Sequence, residues 1–334
     1  MLDLLLQFDA PPSPMKCQVS PLILAIRSNY VDIVKILLKY GVDPNNSQKS
    51  KTGQKIFAAA VALNRESYNS FLLLMLMGAK TDKVKGKKIP REKLRQVKEF
   101  ACKPVKKGKH PYAEKITEIN QFCSDFSDEV QNIKLKISTN SDYSDLSFVD
   151  GIGYIREMYQ KAIVLVEDII KLNNKLKEER TPLIEKQLSI YDKYIGNQVI
   201  NSFVISEFFP EDTIKFIKMR RQKLYEYAIS IARFNSLATF AFNVFQTLRE
   251  YTDEYYFAIQ KTLEVAEEKM TKTINNQNLL LRAGLSSPQC DMLQTLLPLK
   301  IKTLQKQRLP IENSFKQFKE MNNDLSKSMR QCYK

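Results

Sequence analysis

The chain has 334 residues, a formal net charge of +15, 43% apolar and 27% charged residues. That length allows about two domains with a sizeable core. Five cysteines (Cys17, Cys102, Cys123, Cys290 and Cys332) are far apart, odd in number and never CxxC, which excludes a disulfide framework or a zinc site and fits reduced cytoplasmic thiols. The opening "MLDLLLQFDAPPSP" has no basic n-region and too short an apolar run for a signal peptide. No window holds about 18 clean apolar residues, the length of a membrane span. The nearest, "AISIARFNSLATFAFNVF" (228–245), is interrupted by Arg233, Asn235, Ser236 and Asn243 and reads as a buried bundle helix. Only nine glycines and no Trp, beside abundant Leu, Ile, Lys and Glu, favour helices over sheets.

From the N-terminus, the first signal is a repeat. "LLKYGVDPN" (37–45) has a counterpart 32 residues earlier, "LLQFDAPPS" (5–13), and another 37 residues later, "LMLMGAKTD" (74–82). Ala25 maps onto Ala62 and Gly41 onto Gly78. A period of this size marks a solenoid of small supersecondary units. In the central copy, Ser20 can cap a helix with Pro21 at its first position, where the missing N–H costs nothing. Leu22, Ala25 and Ile26 make one apolar face, and Val34, Leu37 and Leu38 make the facing one. Gly41 suits a left-handed helix end and Asp43-Pro44-Asn45 a turn.

Ser20-Pro21-Leu22, Leu24-Ala25, Ile33-Val34, Ile36-Leu37-Leu38, Gly41 and Asp43-Pro44-Asn45 together resemble an ankyrin repeat. The third copy is degenerate, with Phe57-Ala58-Ala59 for Ser-Pro-Leu and Lys80-Thr81-Asp82 for Asp-Pro-Asn. Its linker, "NSQKSKTGQK", is long. The first copy is half a repeat, with Asp9 where Gly is expected. Because each repeat buries a face on its neighbour, that half repeat needs either further repeats upstream, the favoured reading, or the C-terminal region to pack on. The resemblance implies capture of a protein partner by loop tips and first-helix faces. Residues 1–82 are thus expected to be a repeat domain, with partner-binding candidates Lys16 and Gln18 at one tip and Gln48, Lys49, Lys51 and Thr52 at the next.

Residues 83–110 hold 12 Lys/Arg against two Asp/Glu, two thirds of the net charge. Pro90-Arg91-Glu92 suggests a helix start and Pro104 a stop, with Leu94, Val97 and Ala101 along one face. The leading reading is a solvated cap and linker. An anionic membrane surface is a second, through Lys83, Lys85, Lys87, Lys88, Lys106, Lys107 and Lys109. Nucleic acid is disfavoured, since only Phe100 interleaves the charge and no recognition motif accompanies it.

Residues 111–334 read as a bundle of four to seven long helices, so the fold class is all-α: a short solenoid followed by a long-helix bundle. Ile155, Met158, Ala162, Leu165, Val166, Ile169, Leu172 and Leu176 recur every three to four residues, and Ile163 and Ile170 widen the stripe. Breaks are expected at "DGIG" (150–153), "ERTP" (179–182), "FFPED" (208–212), "AGLSSP" (283–288), Pro298 and Pro310. A turn is also expected near Asn235 or Thr252-Asp253. The stretch 113–147, ending "STNSDYSDLS", reads as a loop. Tyr251, Tyr255 and Tyr256 read as core. No catalytic motif appears. His110, the single histidine, reads as a surface residue, and paired carboxylates such as Glu178-Glu179 as solvated faces. No cofactor or metal is expected.

These features point to a non-enzymatic interaction protein of the cytoplasm, whose bundle forms a second binding or assembly surface. A minimal ankyrin stack with a helical remainder and Lys-rich composition resembles the ankyrin-repeat effectors that intracellular bacteria deliver into eukaryotic cells, which would make the host cytoplasm its site. A peripheral membrane protein using 83–110, or an enzyme within the bundle, are the alternatives. Partner identity, source and oligomeric state have no sequence signature.

Overall fold

A computed structural model describes residues 20–49, 55–80, 95, 97–106, 108–139, 145–284 and 288–332. The half repeat, Lys16, Gln18, Lys51, Thr52, Lys83, Lys85, Lys87, Lys88, Leu94 and Lys107 lie outside the described residues. The fold is all-α. Helices α1 (Pro21–Arg27) and α2 (Val31–Lys39) form one repeat. A hairpin of β1 (Ser47–Lys49) and β2 (Lys55–Phe57) follows, then α3 (Ala58–Asn64) and α4 (Tyr68–Leu76) form the next. The C-terminal region is α5 (Ala113–Thr139), α6 (Asp145–Tyr194), the short α7 (Ile205–Phe208), α8 (Glu211–Arg282) and α9 (Pro288–Cys332).

The two repeats are copies in their backbone as well as their sequence. Asn29 and Glu66, 37 residues apart, both turn the chain at φ 55° and 56°. Gly41 and Gly78 both end a second helix at φ near +87°, the left-handed position where a Cβ is penalised. Pro21 opens α1 as expected, but the Ser20 hydroxyl makes no capping bond and is buried without a hydrogen-bond partner among the described residues. The expected turn after Gly41 is present: Asp43 Oδ1 accepts from the Asn45 N–H at 2.9 Å. Asn45 Oδ1 in turn accepts the Lys80 N–H at 2.6 Å, tying the two loops together. The long linker is the antiparallel hairpin, with Gln48 opposite Ile56 and Lys49 opposite Lys55.

Contacts divide the chain into two compact units. The first comprises 1–117, 170–236 and 331–334, so the repeats share it with the second half of α6 and the start of α8. Its core is continuous: Leu37, Leu38, Phe71 and Leu74 of the repeats belong with Ile184, Leu188, Tyr191, Phe203, Ile217 and Leu224. Val97 is buried there, whereas Ala101, expected beside it, is exposed.

The second unit comprises 118–169 and 237–330. The stripe from Ile155 to Ile169 is buried, but Ile163 faces outward. Tyr159 stacks on Phe318 at 5.5 Å, and Phe126 meets Phe245 edge-on at 6.2 Å. Tyr251 and Tyr255 are core, as read, and Tyr256 lies against Phe315 at 4.7 Å.

Several expected breaks are absent. The 113–147 loop is helical to Thr139, and α6 runs through both "DGIG" and "ERTP" with Pro182 inside it. Helix α9 runs through Pro298 and Pro310. A proline costs a helix about 3 kcal/mol and a glycine about 1, amounts that apolar stripes on both sides of the break offset. Gly151 is a packing residue: a Cβ there would collide with the ring and hydroxyl of Tyr255. No turn interrupts α8, a single helix of 72 residues. One of its windows is long and apolar enough to cross a membrane by composition. Around 228–245, Phe234, Leu237, Ala238, Ala241, Val244 and Phe245 are buried while Arg233, Asn235, Ser236 and Asn243 are exposed, the one-sided pattern of a bundle helix. The breaks at "FFPED" and after Arg282 are present.

Candidate functional site

Each repeat offers two surfaces, a second-helix side and a first-helix side with its turns. The first unit treats them differently. The second-helix side is covered by α6, α8 and the segment between them. Lys35 of α2 donates to Asp192 at 2.5 Å. Asn69 of α4 donates to the Gln198 carbonyl at 2.7 Å and to Tyr191 Oη at 3.1 Å, and accepts from the Ile200 N–H at 3.2 Å. Phe203 closes this contact against Tyr68 and Phe71, each ring 5.6 Å away.

The ends of the second helices carry carbonyls with no donor of their own. Three buried side chains from the long helices supply one. Arg180 donates to the Gly41 carbonyl at 2.9 Å, Gln187 to Leu76 at 2.8 Å and Arg221 to Ala79 at 2.5 Å. The carboxyl end of a helix attracts cations, so both arginines suit these positions. Burial lowers the pKa of each guanidinium, with Asp43 opposing at Arg180 and Cys102 at Arg221. The glycines make room for them. A Cβ on Gly41 would lie 2.8 Å from Arg180 Nη1, and one on Gly78 would lie 3.1 Å from the α8 backbone at Arg221 and Tyr225.

The start of α5 is fastened to the same helices. Glu179 accepts hydrogen bonds from both Tyr112 and Tyr227, so this member of the Glu178-Glu179 pair is not merely solvated. Those bonds, Tyr112 first, lower the Glu179 pKa, and the same bond pushes Tyr112 up to about 12. His110 is partly buried rather than a surface residue, its Nδ1 3.1 Å from Ser230 Oγ. Ser230 is fully buried, its hydroxyl 2.6 Å from the Pro111 carbonyl and 3.2 Å from the Glu226 carbonyl.

Among the described residues, the first-helix side carries exposed apolar side chains. Leu24 is 50% exposed and Tyr30 59%, beside exposed Arg27, Ser28 and Asn29. The equivalent turn of the next repeat exposes Asn64, Arg65 and Glu66. Of the partner-binding candidates, Gln48 and Lys49 lie in β1; the Gln48 amide oxygen is buried with no hydrogen-bond partner among the described residues. Lys106 and Lys109 of the basic segment are exposed.

Sequence reasoning passed over the arginines, yet they carry a signal. Leu176, Arg180, Ile184, Gln187 and Tyr191 follow helical spacing, as do Ile214, Ile217, Arg221 and Leu224. A polar residue at a stripe position marks a buried partner waiting elsewhere in the chain.

Comparison with known proteins gives one family match, the ankyrin repeat model, over residues 18–49. No curated protein and no solved structure matches the chain. The matched residues contain α1, α2 and the Gly41 helix end, the parts whose geometry recurs 37 residues later. This protein therefore carries an ankyrin repeat, a unit that generally mediates binding to protein partners.

Proposed function

We propose that this protein is a non-enzymatic interaction protein that captures a protein partner on the first-helix side of its repeats, with the long helices as an internal platform and a second assembly surface. The observation that supports it is the unequal use of the two repeat surfaces. The second-helix side is consumed by Arg180, Gln187, Arg221, Asn69 and Phe203. The first-helix side keeps Leu24 and Tyr30 in solvent beside Arg27, and exposed aromatic and Arg side chains are the usual anchors of interfaces. Gln48, Lys49, Lys51 and Thr52, with Lys16 and Gln18, remain candidate contacts for the partner in our reading. Cysteines that are far apart, odd in number and never CxxC support a cytoplasmic site of action, which for a delivered bacterial effector is the host's.

The test is affinity capture from eukaryotic cytosol, followed by binding of the purified partner to the wild-type chain and to a Leu24→Asp/Tyr30→Asp variant. The reading expects at least tenfold weaker binding by the variant, with its thermal midpoint unchanged. A partner bound equally by both would move recognition away from the repeats.

A further inference from the structure

Six of the exposed large apolar side chains fall within 21 residues, at the end of the second unit where α8 gives way to α9. They are Leu279, Leu280, Met292, Leu293, Leu296 and Leu299. The two helices run antiparallel here, set by the Glu267–Arg308 ion pair at 3.7 Å and the Tyr256–Phe315 contact. The exposed residues are not left over from their pairing. Leu263, Gln277 and Ile311 are buried, and Ile274, Leu281, Leu297, Ile301 and Leu304 half-buried, at the helical spacing that makes an inner face. Leu279, Met292 and Leu299 stand outside that face, each more than 60% exposed.

The charge around them is equally one-sided. Residues 269–309 hold seven Lys/Arg and a single acid, Asp291. The rest of 111–334 holds 24 Lys/Arg against 28 Asp/Glu, a net negative charge. Lys272, Arg282, Lys300 and Lys302 are exposed among the leucines. Leucine on the outward faces of helices, interleaved with Lys and Arg, is the chemistry of the boundary between anionic headgroups and acyl chains. Other occupants fit less well. A second copy would bring net +6 against net +6 across a symmetric contact. A nucleic acid would satisfy the lysines but not the leucines, and no aromatic residue lies between Phe257 and Phe315 to stack on bases.

We infer that the α8–α9 hairpin end is a membrane-docking element, which seats Leu279, Leu280, Met292, Leu293, Leu296 and Leu299 in the headgroup–acyl boundary of an anionic bilayer while the neighbouring Lys and Arg side chains meet lipid phosphates. The proposal makes no use of the basic segment 83–110 and does not depend on the repeats binding a partner.

The experiment is cosedimentation of the full chain with phosphatidylcholine vesicles, with and without phosphatidylserine as about a third of the lipid. Three variants accompany the wild type: Leu296→Ser/Leu299→Ser, Lys300→Glu/Lys302→Glu, and the seven lysines 83, 85, 87, 88, 106, 107 and 109 changed to Gln. Each cation near such a surface is worth about fivefold in partition, so the charge reversal is expected to weaken binding at least 25-fold. The serine pair is expected to weaken it about tenfold or more. The glutamine variant is expected to keep wild-type binding through the hairpin end. Because the chain has no Trp, Leu293→Trp supplies a single reporter, whose emission should shift to the blue on phosphatidylserine vesicles and be quenched by bromine on the upper acyl chain. Absence of binding to phosphatidylserine vesicles overturns the inference. So does loss of binding only in the glutamine variant, an unshifted emission from the Leu293→Trp chain, or leucine-dependent dimers that bind no vesicle.

Discussion

The two units bury their helices by different means. In the first, contacts across the core pass through polar side chains set in apolar surroundings: Arg180, Gln187 and Arg221 on repeat carbonyls, and Asn69 on the segment after α6. In the second, rings and aliphatic stripes do the corresponding task, with Tyr159 on Phe318, Phe126 on Phe245 and Gly151 under Tyr255. The difference follows from what each unit has to cover. Long helices packed side by side satisfy their own backbone and need only apolar faces. A repeat pair presents the ends of several short helices on one side, and those ends need donors. Covering a solenoid flank is therefore a hydrogen-bonding problem, whereas pairing long helices is a packing problem.

The largest test of this contrast is Arg221. Arg221→Ala removes the donor to Ala79 and opens a cavity, and is expected to destabilise the first unit by about 3–5 kcal/mol. Arg221→Met keeps much of the volume and loses the donor alone, a cost of about 1–2 kcal/mol. Hydrogen exchange in α2 and α4 measures both. A Met variant as stable as the wild type would make Arg221 a space-filler, and equal losses from the two would leave the donor as its whole contribution. Next comes Gly78→Ala, which combines a left-handed backbone with a Cβ 3.1 Å from α8 and is expected to cost about 2–3 kcal/mol in the same unit. In the second unit, Gly151→Ala gains helix propensity but collides with Tyr255, for a net loss of about 1 kcal/mol. Pairing it with Tyr255→Ala should abolish that increment in a double-mutant cycle.

Smaller effects probe the exposed polar contacts. A cycle on Lys35→Ala and Asp192→Ala is expected to return under about 1 kcal/mol, since both side chains are well exposed. The Glu179 bonds to Tyr112 and Tyr227 should appear as a pH dependence. The carboxyl pKa is lowered in the folded chain, so its contribution is complete above the unfolded value of about 4.3 and disappears as pH falls through the folded one. The melting-point gap between wild type and Glu179→Gln is expected to be constant near neutrality and to close in acid. At the other end Tyr112, raised to about 12, contributes fully below about pH 10 and loses that contribution as the solution is brought through 12.

How legible each unit was in the sequence follows the same division. Periodicity found Ile155 to Ile169 and the repeat cores, because burial of apolar stripes is a local pattern. Gly41 and Gly78 were readable from their spacing and from the conformations only glycine adopts cheaply. Gly151, Pro182, Pro298 and Pro310 misled, because local propensity reads them as stops while flanking stripes carry the helix through. Arg180 and Arg221 showed only as polar residues on apolar stripes, with nothing to name their partners, which lie 139 and 142 residues away. The candidate tips were chosen for their loop composition; the exposed Leu24 and Tyr30 emerge only once the covered side of the repeats is known.

The way the first unit is assembled from separate stretches of chain has a consequence for synthesis. The repeats are complete by residue 80, but the helices that cover their flank are not all made until residue 236. At about 5–20 residues per second, the ribosome takes roughly 8–30 s to add that stretch. For that interval the nascent chain displays Leu37, Leu74 and Phe71 behind an unfilled flank, with the Gly41 and Ala79 carbonyls still bonded to water. The same long separation gives the unit a high contact order and a slow final docking step. A holdase that recognises short exposed helices would therefore find its client on the ribosome rather than in the finished protein.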